Sequence, residues 1–247
     1  MSGTKSYFNE NYINIGVQKE GKLRNLSLHW LKLCGFSIPC EIEEKKDLLT
    51  IRAGSRGANI FNCRIKDIVR NAVDGVLDIG FVSSDTLSLW QSDTGQSLPK
   101  VADFLNLDLD YTDTFFTLGF DRQSLAMRNN EFNWQNLVIR SFNEGRPIVT
   151  SNKCLLQTKL RKYGLPFNRL KIFQRDGGVE AQGRLMGALV IADLVDKGNT
   201  MRRWGYEPLM SLDVSRLLLI GRRPHRPEKR QTLNYIIERL RDEYVMV

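Results

Sequence analysis

The chain has 247 residues, 42% hydrophobic and 26% charged, which excludes a disordered protein and allows a large core in one α/β unit or in two lobes. Its formal net charge of +8 favours anionic partners, and nucleic acid, an acidic surface and a polyphosphate are all admissible on that ground. No apolar run reaches the ~18 residues of a membrane span, and the opening MSGTKSYFNENYINIGV lacks an apolar h-region, so a cytoplasmic protein without membrane association is expected.

In chain order, YINIGV (Tyr12 to Val17) reads as a strand, and QKEGK follows as a polar loop. Next comes a helix with Leu23, Leu26, Trp30 and Cys34 on its apolar face, stopped at Gly35. KDIVRNAVDG reads as a helix closed by Gly75, and VLDIGFVS (Val76 to Ser83) as a strand. QSDTGQSLPK is then a turn-rich loop, and DYTDTFFTLGF a strand or strand pair. RPIVTSNKCLLQTKLRKYG gives a strand and a helix capped by Ser151 or Asn152, with Gly164 as its stop. Strand, loop, helix and strand follow in NRLKIFQRDGGVEAQGRLMGALVIADLV. A further strand lies in SRLLLIGRRP, and a last helix carries Leu233, Ile236, Ile237, Leu240 and Tyr244 on one face. This alternation predicts an α/β architecture with mostly parallel strands, whose ligands sit beyond the strand carboxyl ends. Three loops are so placed: Gln18 to Lys22, Thr150 to Lys153 and Asp196 to Thr200.

The four cysteines, Cys34, Cys40, Cys63 and Cys154, form no C-x-x-C pair, and His29 and His225 are the only histidines. Reduced thiols are therefore expected, with neither a structural zinc site nor a Ser-His-Asp triad. No P-loop, Rossmann G-x-G-x-x-G, G-x-S-x-G or H-E-x-x-H motif occurs. The basic run RRPHRPEKR lacks the interleaved aromatics or reading helix of a nucleic-acid surface, and a solvated linker before the last helix accounts for it. IGVQKEGKL, DGGVEAQGR and DLVDKGNT each admit two readings, a plain turn or a loop that cradles an anion. In the second reading of DLVDKGNT, Gly198 lets the backbone approach the anion, and Thr200 supplies a hydroxyl and N-caps a short helix.

Taken in order, four segments resemble the ATP phosphoribosyltransferase family of histidine biosynthesis: IGVQKEGKL, CRIKDIVRNAVDGVLDIGFVSSDTL, IVTSNKCLLQTKLRKYG and DGGVEAQGRLMGALVIADLVDKGNTM, spread over roughly residues 13 to 222. The resemblance implies a two-lobed, periplasmic-binding-protein-like (type II) α/β fold with the active site in the interlobe cleft. It places lobe I in 1–105 plus 204–247 and lobe II, with the phosphate loop, in 106–203. The implied reaction transfers the phosphoribosyl group of phosphoribosyl pyrophosphate (PRPP) to N1 of ATP and releases pyrophosphate, with substrate-bound Mg²⁺ and no metal held by the protein alone.

By position, the resemblance implies that Asp193 holds the ribose hydroxyls of PRPP, while Lys197, Gly198, Asn199 and Thr200 surround its 5′-phosphate. Lys19, Arg64 and Glu180 take the catalytic places, and Lys19, Gly21, Lys22, Ser83, Asp85 and Ser151 those that contact ATP or pyrophosphate. It further implies a short-form catalytic subunit, because the basic linker and one helix after the catalytic segment are too little for the long form's regulatory domain. The implied partner is a histidyl-tRNA-synthetase-like regulatory subunit, in a homodimer or hetero-oligomer. The chain departs from the family pattern at several positions. Asp196-Lys197 stands before the loop glycine where a Thr is usual, and Ser83 replaces a Gly. Asn152-Lys153 replaces Tyr-Pro, Gly183 a Pro and Leu189 an Asp, and MRRWG ends the loop. A divergent or non-catalytic PRPP-binding paralogue of the same fold is the alternative reading.

Overall fold

A computed structural model describes residues 8–38, 48–98, 104–126, 133–165 and 167–245. Its elements run β1 (Ile13–Gln18), α1 (Lys22–Leu33), β2 (Leu48–Ala53), β3 (Arg56–Cys63), α2 (Ile65–Asp74), β4 (Ile79–Ser83), α3 (Ser84–Thr94) and β5 (Phe104–Asp121). There follow α4 (Arg122–Ala126), α5 (Trp134–Asn143), β6 (Ile148–Thr150), α6 (Lys153–Lys162), a 3₁₀ turn (Phe167–Arg169) and β7 (Ile172–Gln174). The chain closes with α7 (Val179–Leu185), β8 (Val190–Val195), α8 (Asn199–Arg203), β9 (Tyr206–Arg222) and α9 (Pro227–Val245). It divides into two compact units, Met1–Thr112 with Arg216–Val247, and Asp113–Ser215; β5 and β9 carry the chain from one to the other. These divisions fall further along both strands than the 105/106 and 203/204 boundaries expected from the sequence.

In the first unit the strand order is β2-β3-β1-β4-β9. β1 is parallel to β3 and β4, whereas β2 pairs antiparallel with β3 and β9 with β4. The sheet is buried on both faces, and β9 shows this residue by residue. Leu217 and Leu219 enter the core formed with α1 and α9, while Leu218 and Ile220 enter the one formed with α2. Helix α1 buries Leu23, Leu28, Trp30 and Leu31, with Leu26 only partly covered. It ends where Gly35, at φ +82°, donates its N–H to Lys32 O at 2.8 Å. Helix α2 stops at Gly75 (φ +77°), as its sequence predicts.

The second unit orders its strands β5-β8-β6-β7, with β6 parallel to β7 and β8, and β5 antiparallel to β8. Phe116, Leu118 and Phe120 of β5 meet Val190 and Ala192 of β8 and Leu156 and Leu160 of α6 in one core. Val149, Ile191, Met201 and Tyr206 form another. Asn152 supplies the N-cap of α6, its Oδ1 accepting from Leu155 N at 3.0 Å; Ser151, the other candidate, does not.

Several expectations are corrected. The sheet is mixed rather than mostly parallel, because both long strands run antiparallel to a neighbour. The antiparallel β2–β3 hairpin adds two strands to those expected. Residues 76–78 precede the strand instead of belonging to it, and the segment expected as a loop from Gln91 is helical to Thr94, its end at 99–100 lying outside the described residues. Cys40 and the Tyr244 side chain also lie outside them. The basic run is a linker only over residues 223–226, since α9 starts at Pro227.

Within that run Lys229 is buried, and its Nζ donates to Asp78 Oδ2 at 2.7 Å. Asn14 N donates to the same oxygen at 2.7 Å, so one carboxylate ties α9 to β1. Removing one member of a largely buried pair strands the other, and Lys229→Met is therefore expected to cost about 2–4 kcal/mol of stability. Denaturant unfolding measures this; a loss under ~0.5 kcal/mol would put the pair with exposed surface bridges.

Candidate functional site: two strand-end clusters and a glycine loop

The first unit brings one group of the expected residues to a single sheet edge. Gln18 is in register with Cys63, and Lys19 N donates to Cys63 O at 2.9 Å, so parallel β1 and β3 end level. Lys19, Gly21 and Lys22 follow β1, and Arg64 follows β3 as the extended N-cap of α2. All four are exposed. Ser83 ends β4, and Asp85 lies in the first turn of α3. The Ser83 hydroxyl is buried against Thr86, with the two oxygens 2.8 Å apart. This is the carboxyl edge at which open α/β sheets bind ligands.

The second unit gathers the other group in the same way. Thr150 of β6 is level with Gln174 of β7 and Ala192 of β8, so the segments that follow these strands share an edge. On that edge lies a concavity of about 260 Å³ lined by Glu180 and by residues 194–201. Glu180 is buried in the first turn of α7. Asp193, just before the lining run, accepts from Leu194 N at 2.8 Å. Burial, aided by repulsion from Glu180, pushes its carboxyl up to about 6 despite stabilisation by the Leu194 N–H and the Ser151 hydroxyl. The Ser151 hydroxyl is the larger of these two stabilising influences, although its buried oxygen meets no partner at strict hydrogen-bond geometry. A perturbed carboxylate beside a concave loop is a recurring mark of a functional site.

The loop itself turns at Gly198, which is buried with φ +70° and precedes α8. A Cβ there would come within 2.6 Å of Pro208 Cγ, so only glycine fits without movement. Thr200 is the second residue of α8, not its N-cap; the αL glycine starts the helix instead. Lys197, Asn199 and Thr200 are exposed, and all three line the concavity together with Asp196. Two other departures from the family pattern have packing reasons. At Gly183 a Cβ would lie 2.6 Å from Ile191 Cγ2 and 2.9 Å from the Tyr206 hydroxyl, and Leu189 is buried in the core beside β8.

Sequence reasoning missed the support behind α8. Arg184 pairs with Asp121, donates to the carbonyls of Trp204 and Gly205, and lies over the Tyr206 ring at 4.5 Å. Burial opposes ionisation of Asp121, but hydrogen bonds from Ser124 and Arg184 outweigh it and hold the carboxyl below its ordinary range. An arginine on the last turn of a seven-residue helix gives no sign of partners 20 to 63 residues away.

An α/β chain whose parallel strands end in a glycine turn beside a perturbed carboxylate belongs, by fold, with the open-sheet α/β proteins, which place their ligand sites at strand carboxyl ends. Residues 64–242 match the sequence model described as HisG: ATP phosphoribosyltransferase, and the chain belongs to that family. It is similar to ATP phosphoribosyltransferases of Corynebacterium jeikeium (27% identity over 215 residues, 85% of this chain and 66% of the relative) and Corynebacterium kroppenstedtii (27% over 214 residues, 85% and 65%). It thus spans slightly less than two thirds of the length of these relatives. Among solved structures it resembles a chain of the ATP phosphoribosyl transferase (HisG:HisZ) complex from Thermotoga maritima. The TM-score is 0.58 at 18% identity, over 93% of this chain and 96% of that one, which shows the shared α/β fold. Among the described residues no helix is long and apolar enough to cross a membrane.

Proposed function

We propose that the chain is the catalytic subunit of an ATP phosphoribosyltransferase, moving the phosphoribosyl group of PRPP to N1 of ATP. The observation that carries this reading is the Gly198 turn and Glu180 at one concavity, with the perturbed Asp193 carboxylate, which feels Glu180, just before the run that lines it, in a chain of this family. In the reaction the bond from C1 of the ribose to pyrophosphate breaks, its electron pair leaving with pyrophosphate. The lone pair of adenine N1 then forms the new bond to that carbon. Such a step calls for positioning two polyanions and for supporting charge on the leaving group, more than for a strong base.

Asp193 holds the ribose hydroxyls, an acceptor task that its ionised form performs. Lys197, Gly198, Asn199 and Thr200 surround the 5′-phosphate. Glu180 lines the ribose and nucleotide region. Arg64 lines the same region, Lys19 faces the pyrophosphate or triphosphate, and Gly21, Lys22, Ser83, Asp85 and Ser151 add contacts to ATP or pyrophosphate.

Among the described residues no three His, Cys, Asp or Glu side chains gather to hold a metal ion. The carboxylates of Asp193 and Glu180 suit a Mg²⁺ that takes most of its oxygens from substrate and water. Bound so, the ion supplies charge neutralisation to the departing pyrophosphate. We further propose a short-form assembly with a histidyl-tRNA-synthetase-like regulatory subunit. This is supported by the likeness in fold to a chain of the HisG:HisZ complex.

The test is direct. The purified chain, alone and with its regulatory subunit, is mixed with ATP, PRPP and Mg²⁺, and phosphoribosyl-ATP is followed by absorbance. Product is expected in at least one of the two conditions. PRPP binding without product in either would favour the non-catalytic paralogue, a reading to which Asp196, an acidic residue lining the concavity, lends specific support.

A further inference from the structure

We infer that Arg202 is a positioning residue for the glycine loop: by clamping the Lys197 carbonyl, it sets the peptide plane that presents the Gly198 N–H to the phosphate of PRPP. The inference rests on the PRPP reading of this loop. Arg202 lies on α8 but folds back, its Nη1 donating to Lys197 O at 2.8 Å and its Nε to Glu207 Oε1 at 2.9 Å. The other oxygen of Glu207 accepts from Arg122 Nε at 3.2 Å, and Arg122 N in turn donates to Gly205 O at 3.0 Å. The loop carbonyl is thereby braced to the start of β9 and to the residue that follows β5.

The direction of that brace matters. In a planar trans peptide the C=O and the following N–H point opposite ways. Arg202 is not among the residues lining the concavity, whereas Lys197 and Gly198 are. Holding the Lys197 oxygen on Arg202 therefore keeps that oxygen, which would repel a phosphate, turned toward the guanidinium. It also directs the Gly198 N–H away from Arg202. A loop that binds anions through its backbone needs this orientation of N–H groups.

Fold stability does not explain the brace. Arg202, Glu207 and Arg122 have side chains 42%, 28% and 51% exposed, and ion pairs at such exposure add little to stability. The stronger effect is expected on the ligand.

The experiment is calorimetric titration of the full chain with PRPP and, separately, ATP, each with Mg²⁺, for the wild type, Arg202→Ala and Arg202→Lys. Arg202→Ala is expected to weaken PRPP binding about tenfold, the scale of one lost charge-assisted hydrogen bond, and to leave ATP binding within about twofold. Arg202→Lys keeps a donor for the Lys197 carbonyl and is expected to recover most of the loss. Thermal unfolding of both variants, measured alongside, is expected to stay within about 2 °C of the wild type. If the wild type binds PRPP and Arg202→Ala binds it equally well, or loses both ligands alike, the positioning role is overturned while the PRPP reading stands. A wild type that binds no PRPP overturns that reading and the positioning role with it.

Discussion

Replacing Asp193 by asparagine is expected to make the protein more stable at neutral pH while lowering phosphoribosyl transfer by roughly a hundredfold or more. The stability half follows from the direction of its pKa shift. In the unfolded chain the carboxyl ionises near 3.8; in the folded chain burial first, and Glu180 second, move it to about 6. Below about pH 4 both states are protonated and the group costs nothing. Between pH 4 and 6 the unfolded chain releases its proton while the folded chain keeps it, so stability falls. Above pH 6 the full penalty stands, at most about 3 kcal/mol. An amide avoids that penalty but has its own desolvation to meet, which leaves a net gain of about 1–2 kcal/mol. Denaturant unfolding at pH 7.5 and at pH 4 checks this: the variant's advantage should be present at the first and absent at the second. The functional half follows because a neutral amide cannot hold two ribose hydroxyls as a carboxylate can. Wild-type PRPP affinity should correspondingly rise as pH increases through about 6. A variant destabilised at pH 7.5, or one with undiminished transfer, would contradict the placement of Asp193 as a strained ligand.

The residues that made this site legible in the sequence act locally. Gly35 and Gly75 stop their helices, Asn152 caps α6, and Gly198 turns β8 into α8, each through backbone conformations or bonds within a few residues. The order of such signals along the chain supports the α/β reading and the family resemblance. What stayed hidden depends on partners distant in sequence. The β2–β3 hairpin lies at the sheet edge, where register with β1 rather than local pattern defines the strand. β9 runs 17 residues, but only its end from Ser215 reads as a strand; its first half, with Pro208, is largely half-exposed. Lys229 sits in a run whose pattern is that of a solvated linker, but the fold sets it on Asp78, 151 residues earlier. Thr200 carries the side chain of a cap, but the αL glycine two residues before it starts the helix. Arg184 and Arg202 illustrate the same limit: an arginine's reach of several ångströms lets it support a loop from a position that carries no motif.

Gly198→Ala is expected to weaken PRPP binding by tenfold to a hundredfold, with a stability loss of about 2–3 kcal/mol, through two separable causes. One is the αL backbone at φ +70°, which costs an L-residue roughly 1–2 kcal/mol wherever it occurs. The other is specific: the new methyl would sit 2.6 Å from Pro208 Cγ, and a proline ring in β9 cannot swing aside as a flexible chain would. Relief requires the loop to move off β9, which carries the Gly198 N–H with it. Gly164, in the same unit, provides the comparison. Its φ is +69°, yet a Cβ there meets nothing within 4 Å, so Gly164→Ala should show the backbone cost alone. The two variants, measured by denaturant unfolding and by PRPP titration, separate strain from displacement. Gly164→Ala should lose about 1 kcal/mol and leave PRPP affinity unchanged. If Gly198→Ala binds PRPP as Gly164→Ala does, the loop's backbone is not what holds the phosphate, and the burden of recognition passes to the exposed side chains of Lys197 and Thr200.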